Sequence, residues 1–139
     1  MINSRKIEDL TPETQELCKK FIEECKKAGI DILITSTLRD NEAQTVLYNQ
    51  GRTKESKTKG EKIVTNAKAG QSFHNYGVAF DVVPLVNGKP DWNNTILWIK
   101  IGHIGKTVGL EWAGTWKNFK EYPHFQLPGL SLSELQKWN

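Results

Sequence analysis

The chain predicts an α+β domain in which helices flank a small, mainly antiparallel sheet. Two observations carry that expectation. Helix-period stretches with start and stop signals of their own are separated by strand candidates that are short and bounded by turn residues. The length of 139 residues, 37% hydrophobic and 25% charged, gives one adequate core and shows no repeat or linker that would divide it. Residues 1–139 therefore read as a single domain.

Each element has its local reason. Thr11 and Pro12 open a helix, with Leu17, Cys18, Phe21, Ile22 and Cys25 on its apolar face and Gly29 at its end. Cys18 and Cys25 lie on that helix about 10 Å apart, beyond disulfide reach, and read as free core thiols. Ile30 to Leu38 is β-branched and reads as a strand. Asn41 to Gln50 reads as a second helix, capped by Asp40 and stopped by Gly51. Residues 52–70 are polar and lysine-rich. They read either as a solvated loop or as a loop facing substrate, with a short strand at Lys62 to Thr65. Val78 to Val83 reads as the central buried strand, ending at Pro84, and Val86 to Pro90 as a turn. Ile96 to Val108 reads as a helix, Leu110 to Trp112 and His124 to Leu127 as short strands. Ser131 and Glu134 read as a capping box opening a last short helix.

The chemistry gathers around Ser72-Phe73-His74-Asn75-Tyr76-Gly77-Val78-Ala79-Phe80-Asp81. A carboxylate in a buried strand is costly unless it is paired or bound to a metal. Gly77 lets the chain turn so that His74 and Asp81 can face one point. Glu121-Tyr122-Pro123-His124 adds a second histidine behind a rigid proline, with a carboxylate three residues before it. Two imidazoles and one carboxylate without sulfur suit zinc best, with manganese or cobalt as alternatives, and leave a coordination position open. Glu121 then fits a general base, and Arg39, at a strand end, fits an electrophilic donor for a developing oxyanion. The plainer readings are a hydrogen-bonded His–Asp pair with an exposed Glu121, and a surface Arg39 paired with Asp40. His103, beside Lys100 and Lys106, reads as structural.

These residues resemble the zinc peptidases of the D-alanyl-D-alanine carboxypeptidase superfamily, which share a fold with the Hedgehog signalling domain. Ser36-Thr37-Leu38-Arg39, Gln50-Gly51-Arg52-Thr53, Val64-Thr65-Asn66-Ala67, Gly109-Leu110-Glu111-Trp112 and Tyr122-Pro123-His124-Phe125-Gln126 narrow it. With the central motif they resemble the L-alanyl-D-glutamate endopeptidase branch, typical of phage endolysins. The resemblance implies zinc held by His74, Asp81 and His124, with Glu121 as catalytic base. It also implies Arg39 at the oxyanion and Ser72 on the substrate, a peptidoglycan stem peptide cut between L-Ala and D-Glu. Two departures stand out. Glu121 occupies a position where the branch often has aspartate, and Trp112-Ala113-Gly114-Thr115-Trp116 replaces its Trp-Gly-Gly-Asp-Trp stretch.

Composition narrows the rest. A net charge of +3 suits contact with an anionic polymer but lacks the arginine-rich signature of a nucleic-acid binder. No apolar run reaches the length of a membrane span, and the polar N-terminus lacks a secretory hydrophobic region. The expectation is a monomer made in the cytoplasm of a bacterium, without membrane insertion, which reaches the cell wall after release. Two rival functions remain. One is a D-Ala-D-Ala carboxypeptidase or dipeptidase, and the other a non-catalytic, zinc-containing peptidoglycan-binding module.

Overall fold

In the computed structural model, which describes residues 1–138, the expected α+β architecture is present. Among the described residues, five α-helices and five strands follow one another. They are α1 Pro12–Lys27, β1 Asp31–Ser36, α2 Asn41–Asn49, α3 Lys54–Thr58, β2 Ala79–Val86, β3 Lys89–Pro90, α4 Thr95–Val108, β4 Glu111–Trp112, β5 His124–Gln126 and α5 Leu132–Gln136. Every strand pairing is antiparallel. The sheet runs β1-β2-β5-β4, and the short β3 folds back on the end of β2. Among the described residues no helix is long and apolar enough to cross a membrane.

The sheet's two faces have different tasks. Phe80 on β2 and Phe125 on β5 are register partners, and both are buried against Phe21 of α1. Each such ring contributes about 1.5–3 kcal/mol through burial. α4 closes the same face, and it can do so because Gly102 and Gly105 lack side chains. A Cβ at Gly102 would fall inside the Trp112 ring, and one at Gly105 inside the Phe125 ring. Strand alternation then turns Asp81, His124 and Gln126 to the opposite face.

Several boundaries differ from expectation for identifiable reasons. β2 continues through Pro84 to Val86. Val82 donates to Pro123 on the β5 edge, and Pro84 meets that same edge beyond the end of β5, where no ladder donor is required. Its carbonyl instead accepts from Asp91. Residues 52–70 contain the unexpected α3, capped by the Thr53 side chain, while Lys62 to Thr65 form no strand. Ser131 caps α5 by accepting from the Glu134 N–H, but the Glu134 carboxylate bonds the Ser131 hydroxyl and not its backbone, so the box is half made. Cys18 and Cys25 are free and buried.

Candidate active site

The register of the sheet creates the site. Asp81 sits opposite His124 on β5 and opposite Ser36 on β1, where a bulge lies between Ile34 and Ser36. Directly opposed residues project from one face, so Asp81 and His124 meet without any loop positioning them. His74 arrives from a short 3-10 turn, Phe73–Tyr76. Ser72 Oγ accepts from the His74 N–H, and Asn75 Oδ1 accepts from the Ser72 N–H. Gly77 ends the turn at φ +70°, and its carbonyl accepts from Thr11. A Cβ there would press on the backbone of Asp9 and Thr11, which adds a packing reason for glycine to the conformational one. The turn is tied to the exit of β1, since Arg39 N–H donates to the His74 carbonyl and Asn75 donates to the Arg39 carbonyl.

Both histidines spend their outer nitrogen on an oxygen acceptor. His74 Nδ1 donates to the Thr37 carbonyl at 2.8 Å, and His124 Nε2 to Gln126 Oε1 at 2.8 Å. The inner nitrogens, His74 Nε2 and His124 Nδ1, then converge on Asp81 Oδ1 at 3.1 and 3.0 Å. In the neutral rings these inner atoms carry lone pairs, which cannot bond to a carboxylate. Only added protons or a cation between them makes the arrangement favourable. The three ligand atoms lie within 4.8 Å of one another, and donors on one zinc at about 2.0–2.1 Å stand roughly 3.3–3.4 Å apart. The donor set therefore fits a metal ion, with carbonyl partners fixing each imidazole as metal-binding histidines require. The electrostatics agree. Burial would raise the Asp81 carboxyl, but His74 and His124 outweigh it and hold it well below the usual carboxylate range. Burial disfavours a charged His124, yet its bond to Asp81 pulls its pKa above the ordinary value.

Arg39 is no surface partner of Asp40, which instead caps α2 and accepts from the Ile2 N–H. Arg39 is buried, with Nη1 donating to Gln44 Oε1 at 3.0 Å and Nη2 to Ser36 Oγ at 3.2 Å. Nη2 stands 3.9 Å from Asp81 Oδ2. Burial lowers the Arg39 pKa, opposed by the negative charges of Asp81 and Glu121, and a guanidinium stays charged under such a shift. Arg39, Ser72, His74, Asp81 and Glu121 line one cavity of about 210 Å³. Glu121 is half-exposed at its mouth, with Oε2 4.0 Å from His124 Nδ1. Two larger hollows of about 710 and 430 Å³ flank it, both bordered by Val64, Lys120 and Glu121. All six candidate residues thus come together, and His103 lies apart from them on α4.

Four contributors were not singled out from the sequence. Gln126 could have been found, because two residues after His124 on a strand is the same face. Glu111, which takes bonds from Gln126 and Trp116, follows from pairing with Gln126. Gln44 reaches Arg39 from α2 and also holds the Ala67 carbonyl, a long-range arrangement with no local signal. The Thr37 contribution is a backbone carbonyl, which no residue type announces.

Known proteins share this frame. A family model described as D-alanyl-D-alanine carboxypeptidase matches residues 65–127, which span the motif from before Ser72 to just past His124. The peptidoglycan L-alanyl-D-glutamate endopeptidase CwlK of Bacillus subtilis is 37% identical over 128 residues, covering 86% of this chain and 74% of that protein. The L-alanyl-D-glutamate peptidase of Listeria phage A118 is 26% identical over 122 residues, 86% of this chain and 38% of that longer protein. In structure, the L-Ala D-Glu endopeptidase ChiX of Serratia marcescens superposes with a TM-score of 0.65 at 20% identity, covering 91% of this chain and 88% of that one. The chain belongs to the peptidase family of the peptidoglycan L-alanyl-D-glutamate endopeptidases, within the D-alanyl-D-alanine carboxypeptidase superfamily.

Proposed function

We propose that the protein is a zinc-dependent endopeptidase that hydrolyses the L-Ala–D-Glu bond of peptidoglycan stem peptides, working as a monomer on the cell wall. The observation that carries this reading is the convergence of two fixed histidine lone pairs on Asp81, with Glu121 beside them. His74, Asp81 and His124 would hold the zinc. Bound zinc supplies Lewis-acid polarisation of a carbonyl and lowers the pKa of water.

The chain's own groups account for the remaining steps. Glu121, half-exposed at the cavity mouth, takes the proton of the attacking water as its oxygen bonds to the carbonyl carbon. It then delivers that proton to the departing amine as the C–N bond breaks. Arg39, held by Gln44 and Ser36, keeps a fixed positive charge at the cavity wall where the carbonyl oxygen becomes anionic. Ser72 lines the same cavity, and we assign it to substrate positioning.

Product analysis on purified cell walls and on a soluble stem peptide tests the reading. New L-Ala carboxyl and D-Glu amino termini, lost on chelation and restored by zinc, are expected. Release of D-alanine would replace it with a carboxypeptidase. Wall binding without any cleavage would leave only a binding module.

A further inference from the structure

Residues 62–66 combine an unpaired main chain with firm support from behind. From 61 to 65 the backbone runs without turn or bend. Among the described residues, none of the N–H groups of Lys62, Ile63, Val64, Thr65 and Asn66 has a partner, and neither do the carbonyls of Ile63, Val64 and Asn66. The segment is nonetheless gripped from behind. Arg52 Nη1 donates to the Thr65 carbonyl at 2.8 Å and Nη2 to Asn66 Oδ1 at 3.1 Å, while Gln44 Nε2 donates to the Ala67 carbonyl at 2.8 Å. Arg52 is itself seated on the Tyr48 ring, 3.9 Å from its centroid. Gly51 lies so close beneath that a Cβ there would overlap the backbone of Lys62 and Ile63. An exposed loop of ordinary character would not need this many supports on one side.

Its position gives the supports a purpose. Val64 borders the cavity that contains Arg39, Asp81 and Glu121, and also both flanking hollows. Trp116, Lys120 and Glu121 line the larger hollow together with Val64. A groove thus passes the site with unpaired main-chain groups along one side. Ile63 and Val64 are each about half exposed, at 55% and 51%.

We propose that residues 62–66 are a main-chain docking rail that receives the substrate peptide as an added strand, through hydrogen bonds to its amide groups. This rests on the reading of the site as one that cleaves a peptide. Pairing along the backbone gives affinity that is independent of side-chain identity. That matters for a bond joining an L residue to a D residue, whose side chains do not alternate as those of an all-L strand do. Arg52 and Gln44 are then positioning residues, and Gln44 links the rail to Arg39 through one side chain.

The test uses the zinc-loaded Glu121→Gln variant, which should hold peptide without turnover, and N-acetyl-L-Ala-D-Glu amide as probe. Amide hydrogen exchange at the alternate residues Val64 and Asn66, read by NMR, should slow several-fold at saturating probe. In the otherwise wild-type enzyme, Val64→Pro removes one N–H and should raise KM roughly three- to tenfold, the worth of one net hydrogen bond. Val64→Ala keeps the N–H and should raise it less. Probe that perturbs resonances around residue 121 while exchange at Val64 and Asn66 stays unchanged would overturn the rail and leave the peptidase intact. Equal KM for the two Val64 variants would do the same. Should Val64→Pro not fold, the exchange measurement decides alone. If the probe neither binds nor is cleaved by wild type, the peptidase reading fails and takes the rail with it.

Discussion

Gln126 holds no ligand atom, yet its replacement should weaken zinc binding more than most surface changes near the site. Gln126 Oε1 accepts from His124 Nε2 at 2.8 Å, and its amide nitrogen donates to Glu111 Oε2 at 3.4 Å, so its orientation is set from behind. That bond selects the tautomer that leaves His124 Nδ1 unprotonated toward Asp81. Gln126→Met keeps length and apolar fit but removes the acceptor. The His124 N–H would then be buried without a partner, at about 1–3 kcal/mol, or the proton would move to Nδ1 and donate to Asp81. Either state must be reversed before a cation binds. Loss of such a supporting bond lowers metal affinity about 10–100-fold, which is about 1.4–2.7 kcal/mol. With an unfolding entropy of about 2.1 cal/mol/K per residue over 139 residues, the zinc-induced rise in Tm should shrink by about 5–9 °C. Chelator competition gives the affinity, and melting with and without zinc separates metal binding from loss of metal-free stability. A Gln126→Met protein that binds zinc as tightly as wild type would refute the tautomer argument.

Other expectations follow from the same geometry. Arg39→Ala should lower kcat by about 10²–10³ with zinc content unchanged, and Arg39→Lys should recover only part, because a point charge lacks the planar fork. Normal kcat, or loss of metal, in the alanine variant would remove Arg39 from its assigned role. Glu121→Gln should abolish nearly all turnover while zinc content and peptide binding persist, and Glu121→Asp should retain partial activity; steady-state kinetics with metal analysis checks both. The buried thiols bear on stability at high pH. Burial pushes Cys18 and Cys25 from an ordinary value of 9.0 up to about 12. A raised folded pKa means their contribution is complete below about 9 and declines as pH climbs toward 12. Denaturant midpoints should therefore fall more steeply across that window than in a Cys18→Ala, Cys25→Ala double variant, and parallel slopes would show the thiols are not held neutral.

What could be read from the sequence was what local chemistry dictates. Asp81 stood out because a carboxylate between Phe80 and Val82 conflicts with strand burial unless something compensates it, and the register supplies His124 as that partner. Gly77 was legible as a turn because glycine removes a steric barrier that the structure indeed reaches, at φ +70°. α2 was legible because Asp40 is a strong cap, and it accepts from Ala43 as expected. Residues 52–70 resisted reading because their order comes from elsewhere: Arg52, Gln44 and Gln50 hold carbonyls up to 23 residues away. Side chains that bond to backbone leave no periodicity to detect. The same holds for Arg39, whose burial depends on Ser36 and on Gln44 from α2.

The division between legible and illegible parts follows the division of labour in the site. The metal-ligand candidates sit on or beside the sheet, where alternation and register place Asp81 and His124 face to face and a capped turn delivers His74. Such positions are rigid because moving one residue along a strand would turn its side chain to the other face. Arg39 and the 62–66 segment are held instead by side-chain bridges from Ser36, Gln44 and Arg52. Gln44 joins these two, since it donates to the Ala67 carbonyl and accepts from Arg39. A shift of the segment when peptide is seated would therefore bear directly on Arg39, the charge proposed to face the developing oxyanion. The sheet fixes where the metal would sit, and the bridged segments determine whether a peptide lying beside it meets Arg39 in register.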